Sequence, residues 1–111
     1  MEVRFASRKI QKLCNSDKEM RAKLGPRGAE RLQQRLLELQ AATPLEDLRH
    51  LPGPRCHELA QDRKGQLAVE LVHPQRLIFE PASDPVPTKA DGGLDWPRVT
   101  AVVIVEIVDY H

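Results

Sequence analysis

The stretch Val99-Thr100-Ala101-Val102-Val103-Ile104-Val105-Glu106-Ile107-Val108-Asp109-Tyr110-His111 decides the fold. It is apolar, β-branched and closed by three polar side chains. Read as a strand, alternation puts Val99, Ala101, Val103, Val105 and Ile107 on one side and Val102, Ile104 and Val108 on the other. Both sides are apolar, which predicts a central strand covered on both faces. Asp109, Tyr110 and His111 then leave a rigid core, a better platform for polar chemistry than a loop. The plainer reading is a polar tripeptide on a fraying terminus.

Around this stretch the composition is that of a folded chain. The 111 residues predict one domain spanning 1–111 around one modest core. Hydrophobic residues make up 41% and charged residues 30%, which argues against disorder. No apolar run approaches the roughly 20 residues that cross a bilayer, and Met1–Lys9 has no signal-peptide core. A cytoplasmic location without membrane contact is expected. Cys14 and Cys56 form no CxxC pair, fit a reducing compartment and are not expected to be ligands. The net charge of +1 hides a split: residues 1–64 hold 14 Lys/Arg against 9 Asp/Glu, and residues 65–111 hold 3 against 7. Such asymmetry suits a polyanion on one face, or simply helices with solvated cations.

In chain order, Glu2-Val3-Arg4-Phe5 alternates like a short strand. Ser7 is placed to cap a helix whose Ile10, Leu13 and Cys14 share a face, and Ser16 with Glu19 has capping-box spacing. Residues 7–24 read as one bent helix or two short ones, ended by Gly25-Pro26. Pro26 opens a helix to about Ala42 with Ala29, Leu32, Leu36 and Leu39 as its buried stripe. Arg27, Arg31 and Arg35 recur every four residues and predict a basic ridge for phosphates, or an ordinary polar face. Thr43-Pro44-Leu45-Glu46 reads as a cap, an N1 proline and a capping-box carboxylate for a further turn or two, stopped by Leu51-Pro52-Gly53-Pro54. The period then switches to that of strands. Arg55–Leu59, Leu67–Leu71 and Gln75–Glu80 read as an antiparallel meander with turns at Gln61–Gly65 and His73-Pro74. Residues 81–98 are rich in Pro, Gly and Asp and predict a long surface loop, with Leu94 and Trp96 folding back onto the body.

The segments Asp62-Arg63-Lys64-Gly65-Gln66-Leu67, His73-Pro74-Gln75-Arg76-Leu77-Ile78-Phe79 and Glu106-Ile107-Val108-Asp109-Tyr110-His111 together give the chain a family likeness. It resembles the RelE/ParE superfamily of bacterial toxins, in particular the HigB-like "killer protein" branch of type II toxin–antitoxin systems. The resemblance implies an α+β, microbial-ribonuclease-like fold, with an N-terminal strand and helical pair packed on an antiparallel meander and a central C-terminal strand. It further implies a toxin that cuts messenger RNA on the ribosome and is neutralised by a small helix-turn-helix antitoxin of the HigA-like kind, often in a larger assembly. Carried onto this chain, the family's site falls on His57, Arg76, Asp109, Tyr110 and His111, with Arg63 and Lys64 in the basic turn. Gln66-Leu67 replaces an aromatic pair that some members show, and the 81–98 loop is longer than in the shortest members.

These residue types suit metal-free RNA cleavage. A base must take the 2′-hydroxyl proton, a cation must meet the charge on the phosphoryl oxygens, and an acid must protonate the leaving 5′-oxygen. His57 and His111 suit the proton transfers because imidazole titrates near neutrality. Asp109 is placed to orient one of them or to act as base, Tyr110 to hydrogen-bond or stack, and Arg76 to fork onto two phosphate oxygens. The plainer readings are a carbonyl-bound strand histidine at 57 and a cross-strand pair of Arg76 with Glu70 or Glu80. His57 and His111 have no third ligand at useful spacing, so neither a metal nor another cofactor is expected. Two other functions stay open: a ParE-like inhibitor of gyrase that needs no acid–base set, and an inactive module that binds RNA or protein.

Overall fold

The computed structural model describes Met1–Asp109. The elements run β1 (Glu2–Phe5), α1 (Arg8–Cys14), α2 (Asp17–Ala41), α3 (Glu46–Arg49), β2 (His57–Glu58), β3 (Leu67–Glu70), β4 (Gln75–Pro81) and β5 (Ala101–Asp109), an α+β architecture. Short 3-10 turns occupy Gln61–Arg63 and Trp96–Arg98. Among the described residues the strands form one mixed sheet in the order β1-β5-β4-β3-β2. β5 is interior, as its β-branched run predicts, with β1 parallel on one side and β4 antiparallel on the other. It is not the middle strand, a place that belongs to β4.

The expectation that β5 is covered on both faces is corrected. The helices cover one face, where Val102 and Ile104 are buried, while Ala101, Val103 and Val105 stay half-buried and Glu106 is exposed. The simple alternation also breaks. Phe79 pairs with Ile104 but Ile78 pairs with Glu106, so Val105 is an extra residue in the ladder. A bulge of this kind reverses the facing of everything after it. Ile107 therefore opposes Leu77 and packs on the core beside Ile104, rather than sharing a side with Val103.

The helical layer follows its caps. The Ser7 hydroxyl accepts from the Ile10 amide and the Ser16 hydroxyl from the Glu19 amide, both at 3.2 Å, so residues 7–24 hold two helices split at Asn15-Ser16. Gly25 interrupts α2 with φ +76° and ψ 172°; the positive φ is open to glycine, and the following proline disfavours a helical ψ. Ala29, Leu32, Leu36 and Leu39 are buried against Leu67, Leu77, Phe79 and Ile104, as their spacing predicts. Each fully buried leucine contributes about 1.5–3 kcal/mol relative to exposure.

Two local expectations are corrected. α3 begins at Glu46, two residues beyond Pro44, and the carboxylate that reaches back to the Thr43 amide, at 3.0 Å, is that of Asp47. The strand expected over Arg55–Leu59 pairs only through His57 and Glu58. The 81–98 stretch carries internal order: Thr88 bridges Leu94, and the Lys89 amide donates to the Gly93 carbonyl at 2.7 Å. Trp96 is buried, as expected, donates Nε1–H to Glu58 at 3.0 Å and lies 3.9 Å under the Arg49 guanidinium.

Arg35 corrects the basic ridge. Arg27 is exposed and Arg31 half-buried, but Arg35 is 3% exposed inside the fold. Its Nε donates to the Glu70 carbonyl at 2.6 Å, Nη2 to the Gly53 carbonyl at 3.1 Å and Nη1 to the Glu38 carboxylate at 2.8 Å. It is a strut between layers, and RNA has no access to it. Arg35→Ala, which removes a buried cation together with its hydrogen bonds to the Glu70 and Gly53 carbonyls and to Glu38, lowers stability by about 3 kcal/mol in urea unfolding. Arg27→Ala changes it by less than about 0.5 kcal/mol. Burial also pushes the Cys14 thiol up to about 11 and the Cys56 thiol up to about 12. At pH 8 both resist iodoacetamide in the folded protein and react once urea unfolds it.

Candidate nucleic-acid interface

The face of the sheet away from the helices holds three of the residues singled out by the sequence motifs, His57, Arg63 and Arg76. Pairing sets His57 opposite Ala68, Ala68 opposite Ile78, and Ile78 opposite Glu106, in one row across four strands. The next row runs from Glu70 through Arg76 to Val108. Ala68 and Ile78 are fully buried but stand outside the helix-side core, as residues of the opposite face must.

Residues Leu59–Arg63 stand beside the end of β5, leaving a groove of about 470 Å³ bounded on its other side by Val108 and Asp109. This groove brings Arg63 and Asp109 together. Arg63 is fixed from two directions: Nη1 donates to the Gln66 side chain at 2.9 Å and Nη2 to Glu106 at 3.2 Å. The Gln66 amide in turn donates to Glu80 at 3.4 Å. Glu106 was not among the residues the sequence singled out. Its signal was there, because it is the one charge inside Val102–Val108.

His57 stands at the opposite rim. Three strand spacings separate β2 from β5, about 14 Å at the ordinary interval. His57 and Asp109 therefore do not adjoin. The His57 ring is anchored by Nδ1 at 2.8 Å from the Arg55 carbonyl. A carbonyl only accepts, so Nδ1 carries the hydrogen and Nε2 of the neutral ring has the lone pair that takes a proton. Arg76 is half-buried on β4, opposite Val108, between the two rims. By the pleat Asp109 falls on the other side of β5 from Val108, and it is exposed at the strand's end. Lys64 is exposed in the turn, while Arg27 and Arg31 belong to the helical layer and do not join this face. Tyr110 and His111 lie outside the described residues. Among the described residues, no three of His, Cys, Asp and Glu gather as a metal-holding group.

The face can thus offer guanidinium groups to phosphate oxygens and a histidine base at one rim, while the Asp109 carboxylate stands at the end of β5, turned to the other side of the strand. No family model matches the chain, and no curated protein matches it by sequence.

The Arg63 and Glu106 side chains keep 29% and 48% of their surface in water, so their pair is screened. A double-mutant cycle of Arg63→Ala and Glu106→Gln, read by urea unfolding, gives a coupling of no more than about 1 kcal/mol. This network then orients the guanidinium and adds little to folding.

Proposed function

We propose that the chain is a metal-independent endoribonuclease of the RelE-like fold, the HigB-like toxin of a type II toxin–antitoxin pair, acting on messenger RNA at the ribosome. The observation that carries this reading is that Arg63, Arg76 and His57 share the helix-free face of the sheet, with Asp109 at its β5 end. An RNA strand laid across four strands of sheet meets cations in the middle and titratable groups at both rims. Single-stranded RNA suits such a surface because its phosphates and splayed bases are accessible without a groove to read.

In the reaction a base removes the 2′-hydroxyl proton, the 2′-oxygen attacks phosphorus, and the 5′-oxygen leaves as an acid returns a proton to it. The products are a 2′,3′-cyclic phosphate and a 5′-hydroxyl. Arg63 and Arg76 meet the charge that gathers on the phosphoryl oxygens. The separation of the two rims divides the labour. Asp109 and the two residues that follow it in sequence, Tyr110 and His111, handle one part of the strand, and His57, with Nε2 as its basic nitrogen, engages it from the far rim. Lys64 holds the flanking backbone. Such a toxin requires a neutralising partner, a helix-turn-helix antitoxin of the HigA-like kind, and works in the cytoplasm.

Cleavage on programmed ribosomes, mapped by primer extension, tests this. The full chain gives ribosome-dependent cuts, and His57→Gln or removal of His111 lowers cutting at least about tenfold, the lower range for lost general acid–base help. An intact, folded chain that leaves the message uncut on ribosomes ends the nuclease reading.

A further inference from the structure

β5 is longer than its neighbour. β1 pairs with Ala101–Ile104, and the chain leaves the sheet after the Ala6 amide donates to the Ile104 carbonyl at 2.9 Å. β4 continues beside β5 as far as Asp109. Among the described residues, the other backbone edge of Val105–Asp109 has no strand beside it. Backbone donors and acceptors on such an edge must be hydrated or paired, and an interior strand gives them a rigid spacing.

A groove of about 600 Å³ lies along this edge, between α1, α2 and β5. Its apolar lining includes Ile10, Leu13, Val105 and Ile107, and its charged residues are Lys9, Lys23, Glu19 and Glu106, the last with its carboxylate turned to Arg63 on the other face. Both carboxylates are already engaged, Glu19 by Lys12 at 3.3 Å and Glu106 by Arg63 at 3.2 Å. Among the described residues neither Lys9 nor Lys23 is in an ion pair, and both are exposed. The groove therefore combines a strand edge, an apolar wall and two uncompensated cations.

We propose that this groove binds an extended peptide segment of a partner protein, with apolar and acidic residues by turns at every second position, which adds to the sheet along Val105–Asp109 in line with β1. Main-chain hydrogen bonds supply the register; residues two apart in a strand share a face, so these side chains all face the helices, where the apolar ones cover Ile10, Leu13 and Ile107 and the acidic ones meet Lys9 and Lys23. Five residues of edge extend about 17 Å, enough for a short segment. A nucleic acid uses the lysines but has no repeat of donors and acceptors to match the strand, and it leaves the apolar wall wet. This inference rests on the open edge and stands apart from the ribonuclease reading.

The test uses the full chain, isotope-labelled for amide NMR, and an end-blocked nine-residue peptide with Val and Glu by turns at its odd positions and Thr between them. Addition of the peptide shifts and protects the amides of Val105–Asp109. The double change Lys9→Glu with Lys23→Glu, at exposed positions and with the circular-dichroism spectrum unchanged, weakens binding at least tenfold. A copy of the peptide N-methylated at alternate residues does not bind. The proposal is overturned if the amides of Val105–Asp109 do not respond. Equal binding by the N-methylated copy or by a copy with Lys in place of Glu overturns it too, as does polyuridylate that displaces the peptide from those amides. Ribosomal cleavage assays have no bearing on any of these outcomes.

Discussion

A guanidinium buried among hydrocarbon is tolerable only when its donors are used, because desolvating a cation without partners costs several kcal/mol. Arg35 meets that condition through Glu70, Gly53 and Glu38, and much of the architecture follows. One partner is the carbonyl at the end of β3, another lies in the turn between α3 and β2, and the third is one helical turn away. The strut fixes the distance from α2 to the sheet just where the chain passes from helices to strands. The turn is fastened from its other side as well, since the Glu70 amide donates to the Pro54 carbonyl at 2.8 Å. Glu70 is thus held through both its backbone groups, and it faces Arg76 across the β3–β4 pair. The position of a candidate RNA-binding arginine depends on a cation on the opposite side of the sheet.

The second constraint is the extra residue at Val105. Without it, alternation from Val102 and Ile104 carries Glu106 to the helix side and Ile107 to the open side. That arrangement buries a carboxylate in the core and exposes an isoleucine. With it, Ile107 opposes Leu77 in the core, and Glu106 reaches Arg63 on the open face. The bulge also falls where β1 stops pairing. One irregularity thereby sets both the polar network of the open face and the start of the unpartnered edge.

These two features mark how far the sequence was legible. Periodicity found the helix stripe of Ala29, Leu32, Leu36 and Leu39, the caps at Ser7 and Ser16, the break at Gly25 and the return of Trp96, because each is set by local geometry. Arg35 has the same spacing from Arg31 as Arg31 has from Arg27. Each step of four also drifts about 40° around the helix, which carries Arg35 onto the buried side beside Leu36 and Leu39; the acceptors that meet it there come from distant parts of the chain. The bulge was nearly hidden, since Val102, Val103, Ile104, Val105 and Val108 suit either facing. Glu106 alone breaks the apolar run, and a lone charge inside a strand is a signal that the register places it in water. The spacing between His57 and Asp109 was out of reach, because motif order along the chain says nothing of how many strands lie between.

The Arg63–Glu106 pair decides which anions the open face can take. A carboxylate already sits 3.2 Å from the guanidinium, so an incoming phosphate must displace it. A half-exposed pair of this kind is worth at most about 1 kcal/mol, while a charge-assisted, two-pronged phosphate interaction is about twice as strong as a neutral hydrogen bond. For a single anion the exchange is close to balanced, because the guanidinium gives up its carboxylate to take the phosphate, and the phosphate sheds water on the way in. A strand of phosphates differs on the proposed reading: once one of them has displaced Glu106, others on the same strand engage further cations without a second translational loss. On the proposed RNA-binding reading, the carboxylate is a threshold that a polyanion clears more readily than free phosphate. That is a reason for a charged residue to persist in the middle of an otherwise apolar strand.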